Sequence, residues 1–192
     1  MKLNFLIAVL LFFILTNCSA QRKAHKTNTV KSTAMAVAVE KTGSKVSVKE
    51  AQEALDFHNK ARQELGIEPL QWSHELSKYA QEWADHLANS NCDFDHRPDS
   101  GKWAQLYGEN IYWGKGGIYT ALDASKSWFK EKKSFKNVPL SSSNWSKAGH
   151  YSQMIWRKTK HVGMGVAKCK DGSYIIVANY DPAGNMMGEK AY

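Results

Sequence analysis

Residues 149–180 read GHYSQMIWRKTKHVGMGVAKCKDGSYIIVANY, and they carry the clearest information on the fold class. Tyr151 to Trp156 is a short apolar segment that is compatible with either a helix or a strand. From Val162 onward, apolar residues alternate with small ones, and residues 174–180 are rich in β-branched and aromatic side chains. Because Lys170-Asp171-Gly172 is a turn sequence, residues 161–180 are predicted to form a β-hairpin.

The chain before this hairpin shows helical spacing instead. Ser47 to Glu50 fits a capping box and predicts the start of a first helix, which Gly66 ends. Ser73 is a candidate cap for a second helix, and a third is expected at about residues 120–133. Residues 92–118 and 137–147 are predicted to be mostly loop. Helices first and a hairpin last indicate an α+β domain in which helices pack on a sheet.

The N-terminal residues predict export. Lys2 precedes a run of about eleven apolar residues, and Cys18-Ser19-Ala20 offers small residues for cleavage, as in a signal peptide. The run is shorter than the roughly 20 residues that a permanent membrane helix needs. The alternative is a lipoprotein in which Cys18 becomes the lipidated first residue. Residues 1–20 are therefore predicted to be a signal peptide, and both alternatives place the protein outside the cytoplasm.

Positive charge is concentrated in the segment that follows. The net charge is +8, and residues 1–47 contain seven basic residues against one acidic residue. Residues 21–46 are predicted to be a flexible basic linker because they hold no aromatic residue and no sustained periodicity. The remaining domain, residues 47–192, is nearly neutral and shows no basic stripe with interleaved aromatics, so nucleic acid is not an expected partner.

Histidines and carboxylates are the residues through which this domain could perform chemistry. The sequence contains no CxxC pair, no HExxH, no phosphate-binding loop and no GxSxG motif. His58 lies on the inward face of the first helix, Glu109 and His150 follow glycines, and Glu131 lies in the third helix. Neutral imidazole is a common zinc ligand, although a lone inward histidine is more often a hydrogen-bonded core residue.

Five motifs in order resemble the CAP superfamily, the cysteine-rich secretory, antigen 5 and pathogenesis-related 1 proteins. Residues 149–156 resemble its first signature, and residues 179–185, NYDPAGN, its second. Upstream, His58-Asn59 with Arg62, the turn Gly108-Glu109-Asn110, and Trp128 with Glu131 are similar to three further family motifs. The branch that looks nearest is pathogenesis-related 1. The signature positions singled out are Tyr151, Gln153, Trp156, Asn179, Tyr180, Pro182, Gly184 and Asn185.

This resemblance implies an α-β-α sandwich, with helices on both sides of a small, mainly antiparallel sheet. It also implies a central cleft that contains His58, Glu109, Glu131 and His150. In relatives the cleft histidines can bind a divalent metal such as zinc, so His58 and His150 are the expected ligands. Family members are also reported to bind sterols or fatty acids, and Phe135 and Trp145 are candidate groove residues here.

The cysteines depart from the family pattern. Plant relatives carry six, whereas residues 47–192 contain only Cys92 and Cys169. By motif alignment their family partners fall at Ala148 and Ala178, so no disulfide of the family type is expected. A bond between Cys92 and Cys169 stays open, provided that their Cα atoms lie within about 7 Å.

Three functions are compatible with these residues. The leading hypothesis is an exported, non-enzymatic binding module that takes up a metal and a small lipid. The second is a metal-dependent hydrolase in which Glu109 or Glu131 activates water bound to the metal. The third is a defence or host-contact protein that acts through an extracellular protein partner.

Overall fold

The computed structural model describes residues 38–192. In chain order the elements are α1 (Val48–Gln63), β1 (Gln71–Trp72), α2 (His74–Asn89), β2 (Gly108–Gly114), α3 (Ala121–Phe129), α4 (Gly149–Met154), β3 (His161–Lys168) and β4 (Tyr174–Asp181). Short 3₁₀ helices cover Lys130–Lys133 and Trp145–Lys147. The predicted signal peptide, Cys18 and linker residues 21–37 lie outside the described residues. Within the described part of the chain, no helix is long and apolar enough to cross a membrane.

The four strands form one sheet with the order β1-β3-β4-β2. β3 and β4 form the predicted antiparallel hairpin, β2 pairs antiparallel with β4, and β1 pairs parallel with β3. The side chains of Ile175 and Val177 join the core cluster under α2, whereas Ile176 and Ala178 join the cluster under α1, α3 and α4. The α+β sandwich with helices on both faces is therefore confirmed.

Two glycines of β3 allow α2 to lie directly on the sheet. A Cβ atom on Gly163 would collide with the backbone of Leu76 and Ser77, and one on Gly165 would collide with the backbone of Ala80 and Gln81. The small residues that alternate along β3 therefore form the contact surface for one helix.

Local capping explains where the helices begin. Ser47 and Glu50 form the predicted capping box, and the Ser73 side chain accepts from the N–H of Leu76. Thr120 and Asp123 form a second capping box at α3. The third helix is shorter than predicted because its last turn, Lys130–Lys133, is 3₁₀. The segment that fitted either a helix or a strand is the helix α4.

Two strands were not predicted. β1 is only two residues long, and β2 lies inside the predicted loop 92–118. β2 contains glycines at both ends and begins with Glu109 and Asn110, which are polar but buried. Their burial depends on hydrogen bonds to distant residues, so the alternating apolar pattern that marks a strand is missing.

The packed part of the chain begins before the expected boundary at residue 47. Val39 and Val46 are buried. The Trp72 indole donates to the carbonyl of Thr42 over 3.2 Å, and the N–H of Lys45 donates to Gln81 Oε1 over 2.9 Å. Residues 38–46, which the sequence placed in the flexible linker, therefore lie against α1, α2 and β1.

Cys92 and Cys169 form a disulfide with a Cα–Cα distance of 5.7 Å. The bond ties the residue that follows α2 to the turn between β3 and β4. It joins the two positions whose family partners are missing, so it is not a family-type bridge but the alternative that the sequence left open.

Candidate functional site

His58 does not reach the cleft. Its side chain is fully buried. Nδ1 lies 2.8 Å from the carbonyl of Ala54, and Nε2 lies 2.9 Å from the hydroxyl of Tyr180. Because a carbonyl can only accept, Nδ1 carries the proton and Nε2 accepts from Tyr180. Both ring nitrogens are engaged in hydrogen bonds, so His58, one of the two expected metal ligands, presents no free ring nitrogen.

Burial also keeps this imidazole neutral. Desolvation lowers the pKa of His58 to about 4, with a smaller lowering from the charge of Arg62. Desolvation raises the pKa of Tyr180, so its hydroxyl stays protonated and donates. The amide of Asn110 donates both to that hydroxyl, over 3.2 Å, and to the carbonyl of His150, over 3.1 Å. A chain of hydrogen bonds through Tyr180 and Asn110 therefore connects His58 to the backbone of His150.

His150 and Glu131 form the first exposed pair of the site. Nδ1 of His150 lies 2.7 Å from Glu131 Oε1, and the other carboxylate oxygen accepts from the backbone N–H groups of His150 and Tyr151. The imidazole stacks on the Trp128 ring with an interplanar angle of 18°. The carboxylate therefore fixes the ring orientation and leaves Nε2 without a hydrogen-bond partner among residues 38–192.

Glu109 belongs to a second, similar pair, but with His96. Nδ1 of His96 lies 2.9 Å from Glu109 Oε1, which also accepts from the N–H of Arg97 over 3.1 Å. Asn179 donates to the other carboxylate oxygen over 3.3 Å. The Glu109 side chain is fully buried, whereas half of the His96 side chain is exposed. The structure thus supplies a second accessible imidazole that sequence reasoning missed.

His96 gave little sequence signal. It lies in a loop without apolar periodicity, whereas His58 lies on a clear helix face and in a recognisable motif. The one available clue was a histidine a short distance before the Gly108-Glu109-Asn110 turn, in a loop that could bring it back to that turn.

A groove of about 670 Å³ runs beside β2. Its polar end contains His150 and Glu131, and its walls carry exposed aromatic side chains. The lining residues are Asn91, Cys92, Phe94, Ile111, Tyr112, Trp113, Ser127, Trp128, Glu131, His150 and Asp171. Glu109 and His58 do not line it, so two of the four expected cleft residues form the accessible site and the other two lie beneath the surface.

A cluster of possible ligand atoms also occurs outside this pair. In the described residues, Cys92, Cys169 and Asp171 place one sulfur or oxygen atom each within 4.8 Å of one another. The two sulfur atoms are bonded to each other. They are therefore not thiolates, and this cluster does not offer a metal site in the oxidised protein.

The signature residues join α4 to the end of β4. Gln153 Oε1 accepts from the N–H of Gly184 over 3.0 Å, and Asn185 Nδ2 donates to the carbonyl of Gly149 over 2.8 Å. The Pro182 carbonyl accepts from Thr159 over 2.8 Å. Tyr151, Trp156, Asn179 and Tyr180 are fully or almost fully buried. These residues hold the helix that carries His150 in position.

The family described as CAP, the cysteine-rich secretory protein family, matches residues 55–180. The chain is 38% identical to pathogenesis-related protein 1C of Nicotiana tabacum over 141 residues, which cover 73% of this chain and 80% of that protein. It is 36% identical to pathogenesis-related protein 1 of Arabidopsis thaliana, with 73% and 81% covered.

Solved structures show the same similarity. The crystal structure of NaASP2 with Zn²⁺ is 28% identical with a TM-score of 0.67, covering 77% of this chain and 86% of that one. The structure of BmVAL-1 has the same identity and TM-score and covers 78% and 84%.

Proposed function

Because the chain belongs to the CAP family of cysteine-rich secretory proteins, we propose that it is an exported binding protein that takes up a divalent metal through His96 and His150. The observation that supports this proposal is the pair of carboxylate–imidazole contacts, Glu109 with His96 and Glu131 with His150. The NaASP2 structure with Zn²⁺ shows that a relative of this fold accommodates that ion.

The chemistry of each imidazole donor suits a metal such as zinc. A histidine that binds a metal through one ring nitrogen commonly donates its other N–H to a carboxylate, which fixes the tautomer and raises the basicity of the ligand. Here each carboxylate contacts Nδ1, so Nε2 is the nitrogen available to a metal. Two neutral imidazoles would leave coordination positions open to water or to an external ligand, unlike a closed structural site.

Zinc titration by calorimetry tests this proposal. We expect saturable binding of about one metal per chain in the wild-type protein. His96→Ala and His150→Ala should each weaken it at least tenfold, because each removes one ligand. His74→Ala is the matched control, since this exposed histidine lies at the start of α2, away from both pairs. Equal binding in all four proteins would exclude the two imidazoles as ligands.

A second cavity supports a lipid ligand. A partly open pocket of about 410 Å³ lies between residues 134–140 and residues 143–148, with Phe135, Val138, Leu140 and Trp145 on its walls. Lys136 and Lys147 also line this cavity. An apolar interior beside two ammonium groups fits a fatty acid, whose carboxylate would lie near the lysines. A sterol fits the apolar walls but does not use the charges.

Fluorescence titration with a polyunsaturated fatty acid, beside a fluorescent sterol, separates these ligands. Trp145→Ala should weaken both, whereas Lys136→Gln/Lys147→Gln should weaken only the fatty acid. If neither double nor single variant changes binding, the lipid does not occupy this cavity. Because the cavity is separate from the histidine pairs, this test is independent of zinc.

The hydrolase alternative is less well supported by the hydrogen bonds. Glu109 already accepts from His96, Arg97 and Asn179, and Glu131 accepts from His150 and two backbone N–H groups. A general base needs a free carboxylate oxygen within reach of water. Glu109→Gln and Glu131→Gln should therefore change zinc affinity without abolishing any turnover of a protein substrate.

A further inference from the structure

β2 is an edge strand of the sheet. In the order β1-β3-β4-β2 it has one neighbour, β4, and no other strand of residues 38–192 pairs with its outer side. An edge strand presents unpaired N–H and C=O groups to any extended chain that approaches it. The identity of the groups on this outer side follows from the hydrogen-bond pattern of the sheet.

The hydrogen bonds between β1 and β3, at the opposite edge of the sheet, set the direction of the main-chain groups in each strand. The carbonyl of Val162 accepts from the N–H of Ser73, so this β3 residue faces β1. Because the direction alternates along an antiparallel pair, Gly163 and Asn179 bind each other, and Ala178 faces β2. The β2–β4 register then places the main chain of Asn110 and Tyr112 toward β4.

Glu109, Ile111 and Trp113 therefore direct their N–H and C=O groups away from the sheet. The Trp128 indole supports this assignment, because it donates to the carbonyl of Ile111 from α3 over 3.2 Å. Within residues 38–192, the N–H of Ile111 and both backbone groups of Trp113 bind no other group. Two donors and one acceptor thus remain at the groove floor, spaced by about 6.8 Å along the strand.

The groove walls lie on both sides of this edge. α3 contributes Ser127 and Trp128, the 3₁₀ helix after it contributes Glu131, and the segment after α2 contributes Asn91, Cys92 and Phe94. Phe94 and Trp113 are exposed aromatic side chains at its rim.

The groove lining carries acidic side chains. It includes the carboxylates of Glu131 and Asp171 and no lysine or arginine, although Lys115, outside the lining, lies 2.8 Å from Asp171. The Asp171 carboxylate keeps a depressed pKa through its hydrogen bonds with Lys115 and Ser173, so it stays ionised. An occupant with basic side chains matches this charge.

From these contacts we propose that the outer edge of β2 binds a basic peptide in an extended conformation, as an added strand. The peptide would accept from the N–H of Ile111, and it would exchange two main-chain hydrogen bonds with Trp113. Its alternate side chains would lie against Phe94 and Trp113, and a lysine or arginine would face Glu131 or Asp171. This inference concerns a partner peptide and does not depend on metal or lipid binding.

The test uses the purified full-length protein in EDTA and the probe acetyl-Lys-Val-Lys-Val-Lys-amide. We expect saturable binding of this peptide. The corresponding Glu-Val-Glu-Val-Glu peptide should bind at least tenfold more weakly. The Lys-Val peptide with every amide N-methylated should also bind at least tenfold more weakly, because it keeps the side chains and loses the donors. Equal binding of all three peptides would overturn the proposal, and so would absence of binding.

Two variants at one position isolate the main-chain contact. Trp113→Ala and Trp113→Pro both remove the indole, but only proline removes the N–H. Since Trp113 faces away from β4, proline takes no hydrogen bond from the sheet and is tolerated at such an edge position. Trp113→Pro should bind the peptide at least tenfold more weakly than Trp113→Ala, and equal affinities would contradict strand addition.

Amide hydrogen exchange of the wild-type protein gives an independent measurement if Trp113→Pro fails to fold. Bound peptide should slow exchange at Ile111 and Trp113 and leave Asn110 and Tyr112, which already bind β4, unchanged. Unchanged exchange at Ile111 and Trp113 in the saturated complex would overturn the proposal.

Discussion

Position 58 shows how one histidine can match a family motif and still lie inside the core. Its two ring nitrogens bind Ala54 and Tyr180 inside the core. Helical spacing correctly predicted that His58 points inward. Helical spacing alone could not distinguish an imidazole that lines a cleft from one that is fully buried. That difference depends on the position of Tyr180 in β4.

The neutral state of His58 predicts a loss of stability in acid. The pKa of His58 in the folded protein is about 4, whereas that of a histidine in an unfolded chain is about 6.5. The unfolded chain therefore binds this proton first, and stability is lost as the pH falls from about 6.5 to about 4. Between about pH 7.5 and about pH 5, this group should reduce the free energy of unfolding by about 2 kcal/mol.

Urea unfolding of wild type and His58→Gln at both pH values measures this contribution. The variant should be less stable at the higher pH, because Gln cannot reproduce both hydrogen bonds, but the difference between the two proteins should shrink in acid. A constant difference across the pH range would show that His58 does not titrate with a lowered pKa.

At the scale of elements, the contact between β3 and α2 depends on two side chains being absent. Gly163→Ala should place a methyl group against the backbone of Leu76 and Ser77 and force the helix away from the sheet. We expect a loss of roughly 3 kcal/mol in the free energy of unfolding, in the range of overpacked cores. Urea denaturation measures it.

Gly117→Ala is the matched control for that substitution. A Cβ atom there would meet nothing closer than the Tyr119 ring at 3.8 Å. Its stability should therefore stay within about 0.5 kcal/mol of the wild type. If Gly163→Ala were equally mild, α2 would not be held by close approach to β3.

The disulfide between Cys92 and Cys169 is also expected to stabilise the fold, because it links the segment after α2 to the turn after β3. Cys92 and Cys169 are 77 residues apart in sequence, and closing a loop of that length stabilises a folded chain by about 4 kcal/mol in the chain-entropy treatment. Cys92→Ser/Cys169→Ser should lower the free energy of unfolding by roughly 2–4 kcal/mol.

Thermal and urea unfolding with and without a dithiol reductant provide the check. Reduction should lower the stability of the wild type to that of the double variant and leave the variant unchanged. If the reductant has no effect on the wild type, the two cysteines are not bonded in solution.

For the whole molecule, the layers of the fold could be predicted from sequence because each helix and the hairpin show their own hydrophobic periodicity. The α1 and α2 caps and the β3–β4 hairpin depend on neighbours in the chain, so local chemistry was sufficient. β2 could not be predicted, since Glu109 and Asn110 are polar and are buried in hydrogen bonds: Glu109 accepts from His96 and Asn179, and Asn110 donates to the carbonyl of His150. The start of the packed chain at residues 38–46 was missed for a similar reason, because its contacts are made by Trp72 and Gln81 in other elements.

The candidate site was predictable to the same extent. Glu109, Glu131 and His150 followed from motifs, and each belongs to one of the two carboxylate–imidazole pairs. Only the folded structure identifies His96, rather than His58, as the histidine that contacts Glu109. The two residues are brought together when β2 joins the sheet. The central proposal for the molecule is therefore that His96 and His150, oriented by Glu109 and Glu131, bind a metal.

Histidine side-chain NMR tests that claim most directly. In long-range ¹H–¹⁵N spectra of the protein without metal, His96 and His150 should each carry a proton on Nδ1, where the carboxylate accepts it. Addition of one equivalent of zinc should shift the Nε2 resonances of these two residues and leave those of His58 unchanged. A zinc-dependent shift at His58, or none at His96 and His150, would contradict the account.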